Sequence, residues 1–272
     1  MNDKINATSI DANQLCIGYD DKIIVKDFDI HINRREITTL IGPNGCGKST
    51  ILKALTRILR YNSGTVCLDG NDIHKMPTRE LAQKISILSQ HQNVPADITV
   101  EELVSYGRTP YQKWYESDST EDERIAEWAM KAAAIYHMKD RNVNSLSGGE
   151  RQRAWIATAL AQDPKFLFLD EPTTFLDIAH QIEVMNLVKK LNEEFEIGVI
   201  MVLHDIEQAM EVSDQIVVIR DGRKYAQGRP VDVITSKMIQ DVYNVKSKII
   251  PLPNRRCPVI TFDCLAAQAT FA

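Results

Sequence analysis

Short apolar runs open the chain. Gln14 to Tyr19, Ile23 to Ile32, Glu36 to Ile41 and Thr65 to Leu68 each read as a strand. Turn-forming residues separate them, at Asp20-Asp21, Asn33-Arg34 and Asn62-Ser63-Gly64. One helix interrupts the series. Between Lys48 and Leu59 the apolar positions are Ile51, Leu52, Leu55, Ile58 and Leu59, which is helical spacing. From about Gln92 to Pro164 the pattern changes. Thr99 to Tyr106, Glu121 to Tyr136 and Gly149 to Gln162 read as helices, and the polar, aromatic segment Tyr111 to Thr120 reads as a loop. Phe166 to Leu169 and Gly198 to Leu203 are continuous apolar runs, the mark of strands buried on both faces of a parallel sheet. Ile178 to Glu194 predicts a helix between them. Strands alternating with helices make an α/β domain over residues 1–250, with an all-helical subdomain inserted at about 92–164. Pro251 to Ala272 carries three prolines and little periodicity, and predicts a loosely packed tail.

Composition narrows the function classes. At 272 residues the chain is long enough for a sizeable core. Its net charge of −5 argues against a broad nucleic-acid-binding face. The five cysteines are dispersed and show no metal-ligand spacing, which fits a reducing compartment. The N-terminal stretch lacks the apolar core of a signal peptide, and no run approaches the ~18 apolar residues of a membrane span. These features predict a cytoplasmic protein that is free to dock on a membrane partner.

The chemistry begins at Thr39 to Thr50, TLIGPNGCGKST. Gly42-x-x-x-x-Gly47-Lys48-Ser49 has the form of a phosphate-binding loop between a strand and a helix. Glycines let backbone N–H groups turn inward around phosphate oxygens, and the helix that follows points its positive end at the same anion. Lys48 would reach the β and γ phosphates, and the Ser49 hydroxyl would ligate Mg²⁺. Cys46 reads as a small filler residue, with a thiol expected to be sensitive to alkylation. Further along, FLFLDE places Asp170 and Glu171 at the C-terminal end of a buried strand, where ligand sites of open α/β sheets lie. Asp170 is placed to hold Mg²⁺, and Glu171 to polarise an attacking water. Taken alone, the pair would equally suit an exposed acidic turn.

Ser147 to Glu150 has the S-x-x-E form of a capping box at the start of a helix. A cap accounts for Ser147 and Glu150 but not for Gly148 and Gly149, because glycine weakens a helix by ~1 kcal/mol relative to alanine. Paired glycines at a helix start suit an anion that approaches the backbone closely.

Leu146-Ser147-Gly148-Gly149-Glu150 resembles the signature motif of ABC-type ATPases. The family's other motifs stand in order over roughly residues 12 to 245. Gly42, Pro43, Asn44, Gly45, Cys46, Gly47, Lys48, Ser49 and Thr50 resemble the Walker A loop. Tyr19 resembles the aromatic that stacks on adenine, although a packed surface aromatic would look the same. Gln90 resembles the Q-loop glutamine, which senses the γ-phosphate and joins the metal site. Asp170 and Glu171 resemble the Walker B aspartate and catalytic glutamate. Phe175-Leu176-Asp177 resembles the D-loop, and His204 the switch histidine. His91 is given no catalytic role.

The resemblance implies an ABC-type P-loop ATPase fold with an antiparallel β subdomain and a helical subdomain. It implies ATP and Mg²⁺ as cofactors, with Glu171 and His204 catalytic. It also implies a head-to-tail homodimer, in which Ser147, Gly148, Gly149 and Glu150 of one copy grip ATP held by the other. Such a chain would serve integral membrane permease subunits at the cytoplasmic face of the membrane, and a substrate-binding protein indirectly. Thr99 to Val104, Tyr106 to Pro110 and Thr173 to Glu183 resemble the importer subgroup for ferric siderophores, haem and cobalamin, with ferric siderophores favoured. Two other readings stay in view: an ABC-type ATPase acting on nucleic acid or ribosomes, and a regulatory module without turnover. The first usually needs two ATPase units or coiled-coil inserts, and neither is present here.

Overall fold

The computed structural model describes residues 8–20, 22–90, 97–112, 120–251 and 257–265. Within them the chain runs β1 (Ser9–Tyr19), β2 (Lys22–Asn33), β3 (Ile37–Ile41), α1 (Lys48–Leu55), β4 (Ser63–Leu68), β5 (Asn71–Asp72), α2 (Thr78–Ala82) and β6 (Ile85–Leu88). The helical insertion follows, as α3 (Val100–Ser105), α4 (Thr120–Ala132) and α5 (Gly148–Ala161). The chain then returns through β7 (Phe166–Asp170), α6 (Ile178–Phe195), β8 (Gly198–Val202), α7 (Ile206–Val212), β9 (Gln215–Arg220) and β10 (Arg223–Gly228). It closes with α8 (Pro230–Val233), α9 (Ser236–Tyr243), β11 (Val245–Ile250) and β12 (Val259–Leu265).

The central sheet has the order β10-β9-β3-β8-β7-β6. Its strands pair in parallel from β9 to β6, and β10 alone is antiparallel. Every residue of β3, β7 and β8 is buried, as their unbroken apolar runs require of strands covered on both sides. Successive side chains feed opposite cores. Phe166, Phe168, Ile200 and Val202 pack with α1 and the antiparallel sheet β2-β1-β4-β5. Leu167, Leu169, Val199 and Met201 pack with the helical insertion and α6. Helix α1 thus lies between the two sheets, and the loop at its N-terminus is held from both sides.

Three elements depart from expectation for identifiable reasons. Strand β1 starts at Ser9, not Gln14. A register shift between Ala12 and Leu15, with Gln14 at φ 51°, exposes two successive residues and breaks the alternation. Helix α1 stops at Leu55, four residues before its apolar pattern does. Arg57 turns left-handed at φ 61°, and Ile58 N–H reaches back to the Lys53 carbonyl at 2.9 Å. The Arg57 guanidinium, bonded to the Ile73 and Met76 carbonyls, holds that turn. The third departure is the tail. Residues 259–265 form β12, antiparallel to β11, with Ile260 buried in the core. Its amide donates to Glu207 Oε1 at 2.8 Å. The predicted loop over residues 111–120 is described only at its two ends, and His91 lies outside the described residues.

Candidate functional site

The phosphate loop turns where the sequence places it. At Gly42, φ 152°, a Cβ would overlap the Ile219 carbonyl and lie 2.8 Å from Cys46 Sγ, so only glycine fits. Gly47 starts α1 in a left-handed conformation with no side-chain cap. The N-terminal amides of α1 are therefore left for an anion, whereas α5, α6 and α7 are capped by Ser147, Asp177 and Asp205. Lys48, buried at 5% exposure, donates to the Gly42 and Pro43 carbonyls at 2.9 and 3.0 Å. Cys46 is buried, and desolvation pushes its thiol above the ordinary value, with the Lys48 charge opposing the rise. Burial and the raised thiol pKa both work against the expected sensitivity to alkylation.

Asp170 is the last residue of β7 and is buried. The Ser49 hydroxyl donates to its Oδ1 at 2.8 Å across 121 residues of sequence. Burial pushes the Asp170 carboxyl above the usual carboxylate range; the Ser49 bond opposes the rise and the neighbouring Glu171 charge adds to it. Glu171 stands at φ 54°, a left-handed conformation that costs a non-glycine residue roughly 1–2 kcal/mol. Three side chains hold its carboxylate. Gln90 Nε2 donates to Oε2 at 2.7 Å, Thr174 Oγ1 donates to Oε2 at 3.1 Å, and His204 Nε2 lies 2.7 Å from Oε1. Gln90, Glu171 and His204 line one cleft of about 550 Å³ with Tyr19, Asn44, Gly45, Gly47, Lys48, Ser49 and Thr50.

The signature segment lies elsewhere. None of Ser147 to Glu150 lines that cleft, and neither does Asp177. The capping box forms as predicted: Ser147 N–H donates to Glu150 Oε2 at 2.7 Å, and Glu150 N–H donates to Ser147 Oγ at 3.3 Å. The bond from the Ser147 amide holds the Glu150 carboxyl below its ordinary value. The two glycines differ. A Cβ on Gly148 would meet only Leu176 Cδ2, at 3.5 Å, whereas one on Gly149 would lie 2.5 Å from His180 Cγ and closer still to Cδ2. Gly149 therefore has a steric reason within its own chain to lack a side chain, beside the expected approach of an anion to its backbone. Asp177 caps α6, accepting from the His180 amide at 2.9 Å and lying 2.7 Å from His180 Nδ1.

Sequence reasoning missed several contributors. Thr174 adds a third bond to Glu171. Ile24, from β2, lines the cleft beside Tyr19. Tyr243, from α9, packs next to Gly42 and Cys46, and burial pushes its phenol far above the usual range. No local signal marks Tyr243, because its partners lie two hundred residues upstream.

Residues 25–174 match the family model described as ABC transporter. The probable siderophore transport system ATP-binding protein YusV of Bacillus subtilis (strain 168) is 45% identical over 268 residues, 97% of this chain and 98% of its own length. The iron(3+)-hydroxamate import ATP-binding protein FhuC of the same organism is 43% identical over 258 residues, 94% of this chain and 96% of its own. Among solved structures, a dimeric ATP-binding cassette in a post-hydrolysis state with ADP and Pi superposes at a TM-score of 0.70. It shares 29% identity and covers 81% of this chain and 98% of its own. The motif order, the cleft and these likenesses agree: the chain belongs to the ABC transporter family of ATPases.

Proposed function

We propose that this chain is the ATP-hydrolysing subunit of a membrane importer for ferric siderophores. The observation that carries the catalytic part is the Glu171 carboxylate, held by Gln90, Thr174 and His204 at the edge of the phosphate-loop cleft. The cargo class rests on the relatives, whose names describe siderophore and iron-hydroxamate uptake.

In this reading the α1 amides and Lys48 bind the phosphates, and Tyr19 stacks on the base. Ser49 Oγ and the Asp170 carboxylate are hard oxygen donors 2.8 Å apart, and burial disfavours the ionised form of Asp170, with Glu171 adding to that and Lys53 and Lys48 opposing it. That pair fits Mg²⁺, with the Gln90 amide oxygen as a third donor; such an ion would neutralise charge on the phosphate oxygens. Glu171 accepts the proton of a water in line with the γ-phosphorus, and the bond to the ADP oxygen breaks as the water attacks. His204 holds Glu171 and orients that water.

Two copies pair head to tail, so Ser147, Gly148, Gly149 and Glu150 of each close on the ATP of the other. They sit beneath permease subunits as peripheral proteins at the cytoplasmic face, with a binding protein delivering cargo outside. No helix among the described residues is long and apolar enough to cross a membrane, so in this reading the membrane path belongs to the permease. The test is uptake of radiolabelled iron, given as a panel of ferric siderophores, in cells lacking this protein. Uptake of at least one siderophore should be lost, then restored by the wild type and not by Glu171→Gln. Unchanged uptake across the panel would overturn the cargo and leave the ATPase role to a turnover assay with haem or cobalamin permeases.

A further inference from the structure

The N-terminal halves of α5 and α6 meet along a short ladder. Leu176 Cδ2 faces Gly148, the His180 ring covers Gly149, and Arg153 Nη1 pairs with Glu183 Oε2. Arg153 is four residues on from Gly149 and Glu183 three on from His180, so α5 and α6 run side by side through these two rungs, with Leu176 in the turn that leads into α6. The middle rung is the tightest. His180 is anchored twice to Asp177, through its backbone amide at 2.9 Å and through Nδ1 at 2.7 Å. Its ring edge fills the volume that any Cβ at position 149 would need. Asp177 sits in the D-loop and Gly149 in the signature motif, so one imidazole ties two motifs of the same chain together.

We propose that His180 is a positioning residue for hydrolysis, a spacer that fixes the signature helix against the D-loop, and that the missing side chain at Gly149 admits its ring. The inference rests on the head-to-tail reading, because only there does the signature step face a phosphate. A spacer of fixed thickness matters at that step. The amides and hydroxyl at an anion site must lie within about half an ångström of their working place to bind well. Ser147 and Gly148 are both exposed, and a Cβ on Gly148 would meet only Leu176 Cδ2, at 3.5 Å. Gly148 keeps open space beside it and is left to the phosphate.

The test is a double-mutant cycle on steady-state ATPase of the full chain assembled with its permease. Gly149→Ala drives a methyl group into the ring and should lower kcat by about 10-fold or more, a coupling at the middle of the range seen for contacting residues. His180→Ala removes the obstacle. The pair Gly149→Ala/His180→Ala should return to within about 3-fold of His180→Ala alone. His180→Ala by itself should lower kcat several-fold while KM for ATP stays unchanged, because the Walker A cleft is untouched. Gly148→Ala should not be rescued by His180→Ala.

A double variant as defective as Gly149→Ala, beside an active His180→Ala, would overturn the proposal. If Gly149→Ala does not fold, His180→Ala and Asp177→Ala decide instead: wild-type kcat in both would show packing alone and sink the positioning role. Light scattering of Glu171→Gln with ATP and Mg²⁺ tests the underlying reading separately. A monomer there would remove the trans phosphate, while the ATPase cycle would still report whether His180 governs position 149.

Discussion

The two halves that would face phosphate in the proposed dimer are built in opposite ways. The cleft half is knit by side chains that meet across long stretches of sequence: Ser49 to Asp170 over 121 residues, Gln90 to Glu171 over 81. The signature half is satisfied over three residues, by the Ser147–Glu150 capping box, and leaves the Ser147 and Gly148 surfaces exposed. A half that must hold nucleotide and move a proton needs groups brought in from several elements, which only a folded core supplies. A half that closes on a ligand carried by another copy needs only a stable helix start and an open backbone. The difference suits a machine in which one half keeps its chemistry assembled and the other meets it only in the dimer.

The contrast can be broken at its strongest point first. Glu171→Gln keeps the bonds that hold residue 171 and loses the base. Its ATPase rate should fall by 10²–10⁴-fold, while light scattering should detect an ATP-bound dimer that persists. Lys48→Ala removes a buried cation from the phosphate loop, and ATP affinity measured by calorimetry should weaken by about 10–100-fold, the worth of a charge-assisted bond. The signature half answers differently. Ser147→Ala should cost about 1 kcal/mol of stability in urea unfolding through loss of the cap, with ATP binding to the monomer unchanged.

Asp170→Asn sharpens the comparison most gently, and in the opposite direction. Because the folded carboxyl is pushed above its unfolded value, it favours the proton. Stability therefore rises as pH falls through that raised value, and the ionised form is a cost at neutral pH. The amide removes that cost. Without Mg²⁺, Tm by calorimetry should rise by at most about 4 °C, even as hydrolysis is lost.

Much of this was legible in the residues. The phosphate loop, the buried strand ending in Asp170 and Glu171, and the capped helix at Ser147 are each encoded within a dozen positions, and each forms where its own spacing places it. The boundaries were less legible. Apolar periodicity carries α1 on to Leu59, but the helix ends where Arg57 finds the Ile73 and Met76 carbonyls. The prolines of residues 251–272 suggested a loose tail, yet β12 is recruited by the exposed edge of β11 and by Glu207.

The sequence by itself determined the local chemistry: which glycines could turn, which carboxylates would end a buried strand, and which serine would cap a helix. These follow from backbone freedom and side-chain reach over a few residues. Only the tertiary structure decided what those groups face. It set Tyr243 against Gly42, closed Thr174 and His204 on Glu171, and put the His180 ring where Gly149 could carry no side chain. The reason is physical. Such contacts depend on how the two sheets and the helical insertion pack around α1 and α6, and no spacing along the chain records the distance between surfaces that meet only after folding.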